Sequence, residues 1–225
     1  MVGARRHVFQ NAPKSAKEFY ATLDPSDSGG ASAHWRPEFA SASAAGDFGF
    51  TTEPFSGEDT AFGYCLTVLC QQPNPDWRWI YEGGLDTPDR TKRIAPLMSS
   101  SSPPLSRGES AADLAQSAVA AFEPGLAANA AADAPASLGA QFDTISRVPR
   151  QNQPPAVGAE TIAAALKAGP HVSNFSQLRS YAAAAGDMLF TLREARRDGG
   201  NGIHGRIKSD QADGWRLTFD QIVPC

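Results

Sequence analysis

The nine residues AAGDFGFTT at 44–52 return almost unchanged as AAGDMLFTL at 184–192. The match is not isolated. WRWIYEGG (77–84) follows the first copy as WRLTFDQI (215–222) follows the second. NAPKSAKEFYATL (11–23) precedes the first as QPPAVGAETIAAALKAG (153–169) precedes the second. Three landmarks in one order and at nearly constant offset predict two homologous units, and that constrains the fold more than any local propensity.

Each unit reads as a short helix followed by antiparallel strands. Ser15 and Glu18 form a capping box that opens a helix ending near Leu23. Gly158–Lys167 is rich in helix-forming alanine and stops at Gly169-Pro170. HWRPEFAS then leads through AAGD into FGFTTEPF, and SQLRSYAA leads through AAGD into MLFTLREA. YCLTVLCQQ with WRWIYEGG, and GRIKSDQ with WRLTFDQI, predict one further long hairpin per unit.

The units are placed at 1–90 and 109–225, joined by a Pro/Ser-rich linker at 91–108 that contains SSSSPPLSR. A helix is predicted over Ser110–Phe122, with Leu114, Ala118 and Phe122 on one stripe, and a broken helical stretch follows it. Nothing ahead of residue 11 matches that region, so the first unit is expected to lack its opening helices. Either a longer natural protein begins upstream of Met1, which is the expectation, or the first unit has lost those helices.

Hydrophobic residues make up 41% of the 225 and charged residues 20%, as in globular chains. The net charge of −4 and the absence of a basic stripe exclude nucleic acid as a partner. No run approaches the roughly 18 apolar residues of a membrane span, so no membrane partner is expected. As written the sequence reads cytoplasmic; a longer precursor carrying an export signal would place it in the periplasm or outside the cell. Cys65, Cys70 and Cys225 form no framework, and the first two are read as reduced core thiols. His7, His34, His171 and His204 are scattered without ligand spacing, so neither a metal nor another cofactor is expected.

The strands AGDFGFTTEPF, GYCLTVLCQQPNPDWRWIYEGG, AGDMLFTLREA and DGWRLTFDQIV resemble the SnoaL-like, nuclear-transport-factor-2-like superfamily, and within it bacterial tandem domains of unknown function. The resemblance implies an α+β fold in which a strongly bent antiparallel sheet wraps on helices as a cone with a central pocket. It implies two such repeats packed as a pseudo-dimer. The superfamily includes polyketide cyclases, a ketosteroid isomerase, dehydratases and non-catalytic binding modules, so fold alone delivers no reaction.

Enzymes of this kind need a carboxylate base and a proton donor facing an apolar cavity. Strand alternation places Trp77, Trp79 and Tyr81 on one face and Arg78, Ile80 and Glu82 on the other; Trp215, Leu217 and Phe219 likewise oppose Arg216, Thr218 and Asp220. Asp220 is the candidate base and Tyr181 the candidate donor, with Arg179, Phe190, Arg216 and Glu82 as candidate ligand contacts. Trp77 or Trp79 is expected between the two units. Asp47 and Asp187, the acids of the repeated nonamer, are read as turn residues bonding their own local backbone. Two readings compete. In one the chain binds a small apolar molecule or a partner without catalysis, with homodimerisation available to cover an incomplete first sheet. In the other a pocket carboxylate serves a small enzyme of the cyclase or isomerase type.

Overall fold

The computed structural model describes residues 34–35, 37–56, 62–72, 74, 76–87, 98–101, 141–169, 172–197, 200–211 and 214–224, with 113, 117 and 120 as single helical positions. The expected helix at Ser15–Leu23 lies outside them, as does Ser110–Phe122 apart from those three positions. The first half supplies β1 (His34–Trp35), β2 (Phe39–Ala42), β3 (Phe48–Ser56), β4 (Phe62–Gln71), β5 (Trp77–Asp86) and β6 (Met98–Ser101). The second supplies β7 (Phe142–Val148), β8 (Ala156–Val157), α1 (Ala159–Ala168), β9 (Val172–Ala182), β10 (Met188–Arg197), β11 (Gly200–Gln211) and β12 (Gly214–Pro224).

These strands form two sheets. Sheet 1 has the order β5-β4-β3-β2-β6, with β1 on β3, and sheet 2 has the order β8-β7-β12-β11-β10-β9. The predicted hairpins are present, β3/β4/β5 in one half and β10/β11/β12 in the other. Three strands fall where none was expected, β6, β7 and the two-residue β8 that pairs with β7. β6 lies inside the stretch read as linker and runs parallel to β2, with Phe39 opposite Met98. β7 begins at Phe142, the last residue of the stretch read as broken helix, and runs parallel to β12. β6 and β7 each join a strand edge distant in the chain, which composition does not signal. β7 is also held by Ser146 Oγ, which donates to Leu217 O at 2.6 Å, and by Phe142 and Val148 packing with Leu217.

The repeated nonamer folds the same way twice. Ser43 N donates to Phe48 O and Ala183 N to Met188 O; Gly46 N donates to Ser43 O and Gly186 N to Ala183 O. Gly46 and Gly186 have φ of 69° and 71°, the left-handed conformation that glycine adopts without a Cβ penalty. The sheets then pack face to face. Phe39, Phe48, Phe50, Tyr64, Leu66, Val68, Tyr81 and Leu85 of sheet 1 share one core with Ala183, Met188, Phe190, Leu192, Ile203, Ile207, Phe219 and Val223 of sheet 2. Across it Phe50 meets Phe219 with ring centres 6.5 Å apart, and Tyr81 meets Phe190 at 5.1 Å.

Simple alternation fails on the last strand of each sheet, for one reason. In β5, Tyr81 pairs with Val68 and Trp79 with Leu69, which leaves Ile80 as an extra residue. In β12, Phe219 pairs with Ile207 and Leu217 with Lys208, which leaves Thr218 extra. Each extra residue is a β-bulge that flips the phase of the side chains beyond it. Tyr81 therefore enters the shared core, whereas Trp77 and Trp79 stay 44% and 41% exposed, contrary to the placement of either between the sheets. Leu217 turns away from Phe219 to the other face of sheet 2, where it joins Phe142, Val148 and Ile162 beneath α1.

α1 ends as expected at Gly169, and its buried stripe is carried by Ile162. Cys65 and Cys70 are buried and unbridged, as read.

Candidate functional site

Asp220 stands on the face of sheet 2 turned away from sheet 1. Arg206 is its cross-strand neighbour on β11, and His204 lies two residues along the same face. The three converge. Asp220 Oδ2 accepts from Arg206 Nε at 2.7 Å and lies 2.7 Å from His204 Nε2, while Oδ1 accepts from Arg150 Nη2 at 2.7 Å. Arg150 also donates to the Asp220 carbonyl at 3.0 Å. Asp220, His204 and Arg150 are buried and Arg206 is nearly so.

Electrostatics fix the charge states. Burial alone would lift the Asp220 carboxyl, but His204, Arg150 and Arg206 outweigh it and hold the group well below the usual carboxylate range. Burial, reinforced by the Arg206 charge, pushes His204 down to about 4 against the pull of Asp220. Near neutral pH the cluster is thus a carboxylate between two guanidiniums with a neutral imidazole. Such a carboxylate accepts hydrogen bonds strongly and takes up a proton poorly.

Tyr181, the expected donor, is not with it. Tyr181 is opposite Phe190, on the core face of β9, and β10 and β11 lie between β9 and β12. The two groups therefore lie on opposite faces of the sheet and roughly 14 Å apart by strand spacing alone. Tyr181 is 44% exposed, stacks on Phe48 and takes the Cys70 thiol at 3.4 Å, which together with partial burial raises its pKa. Phe190 is in the shared core. Arg179 is exposed on β9. Arg216 sits half-buried beside Trp215 O at 3.2 Å and is not with Asp220. Glu82 is half-buried on the outer face of sheet 1 opposite Thr67, the place Asp220 holds in sheet 2. The six candidates do not form one site.

Sequence reasoning missed Arg150, His204 and Arg206. His204 is isolated along the chain, and only the pairing of β11 with β12 brings it to Asp220. Alternation along GIHGRIKSD does place His204, Arg206 and Lys208 on one face, and that signal was legible.

The nonamer acids also act beyond their own turns. Asp47 Oδ1 accepts from Ser43 Oγ at 2.8 Å, a local bond to a side chain and not to the turn backbone as expected, and its Oδ2 accepts from Ala184 N of the other half at 2.8 Å. Asp187 Oδ2 accepts from Ala44 N at 2.7 Å.

A second feature lies on the outer face of sheet 1. Ala40, Ala42, Gly49, Thr51, Leu69 and Trp77 line an open groove of about 300 Å³ whose surface is almost entirely apolar. The small residues make its floor flat, and Trp77 forms its rim. No group of three or more His, Cys, Asp or Glu side chains that could hold a metal occurs among the described residues. No helix is long and apolar enough to cross a membrane.

No protein-family profile and no curated protein matches the chain. The structural neighbours are cystatin-fold and nuclear-transport-factor-2-like proteins and domains of unknown function. One is a domain of unknown function with a cystatin-like fold from Nostoc punctiforme, with 12% identity, 50% of this chain and 78% of that one covered, and a TM-score of 0.42. Another is an NTF2-like protein with a cystatin-like fold from Novosphingobium aromaticivorans, with 13% identity, 50% and 83% covered, and a TM-score of 0.40. A third is ActVI-ORFA from Streptomyces coelicolor, with 14% identity, 48% and 96% covered, and a TM-score of 0.38.

Proposed function

We propose that the chain is a duplicated cone-fold protein, its two halves paired as a pseudo-dimer, that holds a small apolar molecule without catalysing a reaction on it. The halves correspond to the two units read from the sequence, with the first extended to take in β6 (Met98–Ser101). Support for the pairing is reciprocity: Asp47 to Ala184 is answered by Asp187 to Ala44, and Phe50–Phe219 by Phe190–Tyr81. Contacts that exchange roles in this way belong to two-fold interfaces.

The groove on sheet 1 carries the binding reading. It is open, flat-floored and nearly free of polar surface, and an exposed tryptophan rims it. Pockets that retain apolar molecules have this lining. The test is a titration with Nile red, an uncharged apolar dye, followed by dye emission and by tryptophan quenching. Saturable binding at micromolar dye that is lost in Leu69→Asp and Ala42→Phe supports the reading. Unsaturable binding, or binding that both variants leave unchanged, overturns it.

The His204–Asp220 contact at 2.7 Å favours a second reading, in which a buried imidazole oriented by a carboxylate moves a proton. The two arginines weigh against it. They hold Asp220 ionised and bonded on both oxygens, an arrangement that serves cohesion better than proton transfer.

A further inference from the structure

Where the groove on sheet 1 has a glycine in its floor, the second half has a leucine. Gly49 and Thr51 hold the sixth and eighth places of the first nonamer, and Leu189 and Thr191 hold them in the second. The strand registers agree. Gly49 lies opposite Leu69 and Thr51 opposite Thr67 on β4, as Leu189 lies opposite Lys208 and Thr191 opposite Arg206 on β11. All four alternate with residues of the shared core, so they face outward from it. In sheet 2, Leu189 and Thr191 are both buried, and the Thr191 hydroxyl has no hydrogen-bond partner among the described residues. In sheet 1, Gly49 and Thr51 border the open groove instead. A side chain at Gly49 would bring its Cβ to 2.9 Å from Ser41 O, so this part of the floor stays bare.

The bare floor leaves one hydroxyl within reach. Of the side chains that line the groove from the outer face, Thr51 alone carries a hydroxyl; Trp77 adds its indole at the rim, and no cationic residue lines the groove. Ser41, between Ala40 and Ala42 on β2, faces the other way. Thr67 donates to Glu53 Oε1 at 3.1 Å, whereas Thr51 Oγ1 makes no hydrogen bond among the described residues. A hydrocarbon lying on this floor would strand the Thr51 hydroxyl as the Thr191 hydroxyl is stranded in sheet 2, and a buried hydroxyl without a partner is costly. A molecule that brings its own hydroxyl to that point removes the cost, because each hydroxyl can donate or accept. A carboxylate would lose its water with no cationic residue of the lining to replace it.

We infer that the groove selects an uncharged, largely apolar molecule carrying one hydroxyl group, and that Thr51 recognises that hydroxyl. The selectivity rests on the reading of the groove as a site for apolar molecules and adds the polar feature its occupant carries.

Equilibrium dialysis of the full chain at pH 7 against naphthalene, 2-naphthol and 2-naphthoate tests it. The probes share one ring system and differ by a neutral hydroxyl or an anionic carboxylate. In the parent, 2-naphthol is expected to bind about tenfold tighter than naphthalene, the worth of one hydrogen bond to a group otherwise stranded, and 2-naphthoate weakest. Thr51→Val keeps the shape without the hydroxyl and is expected to bind naphthalene and 2-naphthol alike. Thr51→Ser keeps the hydroxyl and is expected to keep the preference. Far-UV circular dichroism unchanged from the parent shows that both variants fold. Equal binding of naphthalene and 2-naphthol by the parent overturns the inference and leaves the groove an apolar site without selectivity. A preference that survives in Thr51→Val, or is lost in Thr51→Ser, overturns it too, as does 2-naphthoate bound tightest. Binding of none of the probes overturns the selectivity and the reading of the groove together.

Discussion

Asp47 accepts the main-chain N–H of Ala184 at 2.8 Å, and Asp187 returns the contact by accepting that of Ala44 at 2.7 Å. The nonamer is therefore written twice because each copy needs the other. Gly46 and Gly186 turn the chain tightly enough to present a free N–H beside the opposing carboxylate, and Phe48 and Met188 enter the shared core directly afterwards. One short motif supplies a turn, a cross-sheet bond and a core residue.

Removing one arm of this clasp weakens the join between the sheets. Asp47→Ala leaves the Ser43 hydroxyl and the Ala184 N–H without their charged acceptor, and hydrogen bonds to charged groups contribute about 1.5–3 kcal/mol each. Partial exposure of Asp47 puts the expected loss at the low end, about 1–2 kcal/mol. Urea denaturation at pH 7 measures it; an unchanged midpoint would show that water replaces both bonds at no cost.

The clasp is not symmetric, and the asymmetry can be repaired. Asp47 has Ser43 Oγ on its second oxygen, whereas Ala183 stands at the matching place and Asp187 Oδ1 has no hydrogen-bond partner among the described residues. Ala183→Ser is expected to add about 0.5–1.5 kcal/mol, the net worth of one buried hydrogen bond. The gain should vanish in an Asp187→Ala background, and a double-mutant cycle checks that. A serine equally stabilising in both backgrounds acts some other way.

How far the sequence reveals this depends on the range of each interaction. The hairpins were legible because alternation and turn glycines act within a few residues. Trp77 and Trp79 were misplaced because a bulge is a property of two paired strands, and nothing in WRWIYE marks Ile80 as the extra residue. β6 and β7 were missed because each pairs with a strand distant in the chain, and no local pattern names that partner. In the sequence Asp220 reads as a candidate base facing a cavity. In the fold it is buried with its carboxyl held well below the usual carboxylate range, because its partners arrive from β11 and from the segment after β7. Its meaning changed with them.

Gln221 and Gly83 face each other across the sheets and predict opposite effects. Gln221 is fully buried, and neither amide atom has a hydrogen-bond partner among the described residues. Gln221→Met keeps the volume without the polar group and is expected to stabilise by about 1–2 kcal/mol. Gly83→Ala would put a methyl 2.3 Å from the Tyr81 hydroxyl and 2.8 Å from Gln221 Nε2, an overlap worth about 1–3 kcal/mol of destabilisation. Thermal melts of both variants decide it, and a Gln221→Met less stable than the parent would mean that the amide is satisfied in solution.

Acid should act through His204 first. Its folded pKa of about 4 lies below the ordinary value near 6.5, so between these limits the unfolded chain binds the extra proton and stability falls as pH falls. The full effect is about 3 kcal/mol, lost from roughly pH 6.5 to 4. Asp220 has a depressed pKa, so its contribution is intact above the ordinary carboxylate value and is lost only below it. His204→Gln should flatten the upper window and leave the lower one. Denaturant midpoints for the two proteins between pH 4 and 7.5 give the answer; parallel curves would assign the slope to other groups.

Asp220→Asn separates cohesion from catalysis. Both Asp220 oxygens carry ion pairs, to Arg150 on one side and Arg206 on the other. Neutralising the carboxylate leaves those guanidiniums buried without it, and breaking a buried ion pair from one side costs about 3–5 kcal/mol. A domain is stable by only about 5–15 kcal/mol, so the variant should melt far below the parent or fail to fold. Adding Arg206→Met to Asp220→Asn removes one stranded charge and should recover part of the loss, which a purely catalytic aspartate would not require. If Asp220→Asn instead melts with the parent, the arginines are satisfied elsewhere and Asp220 is free to act as a base. The balance between the two readings of the fold would then shift to the enzyme.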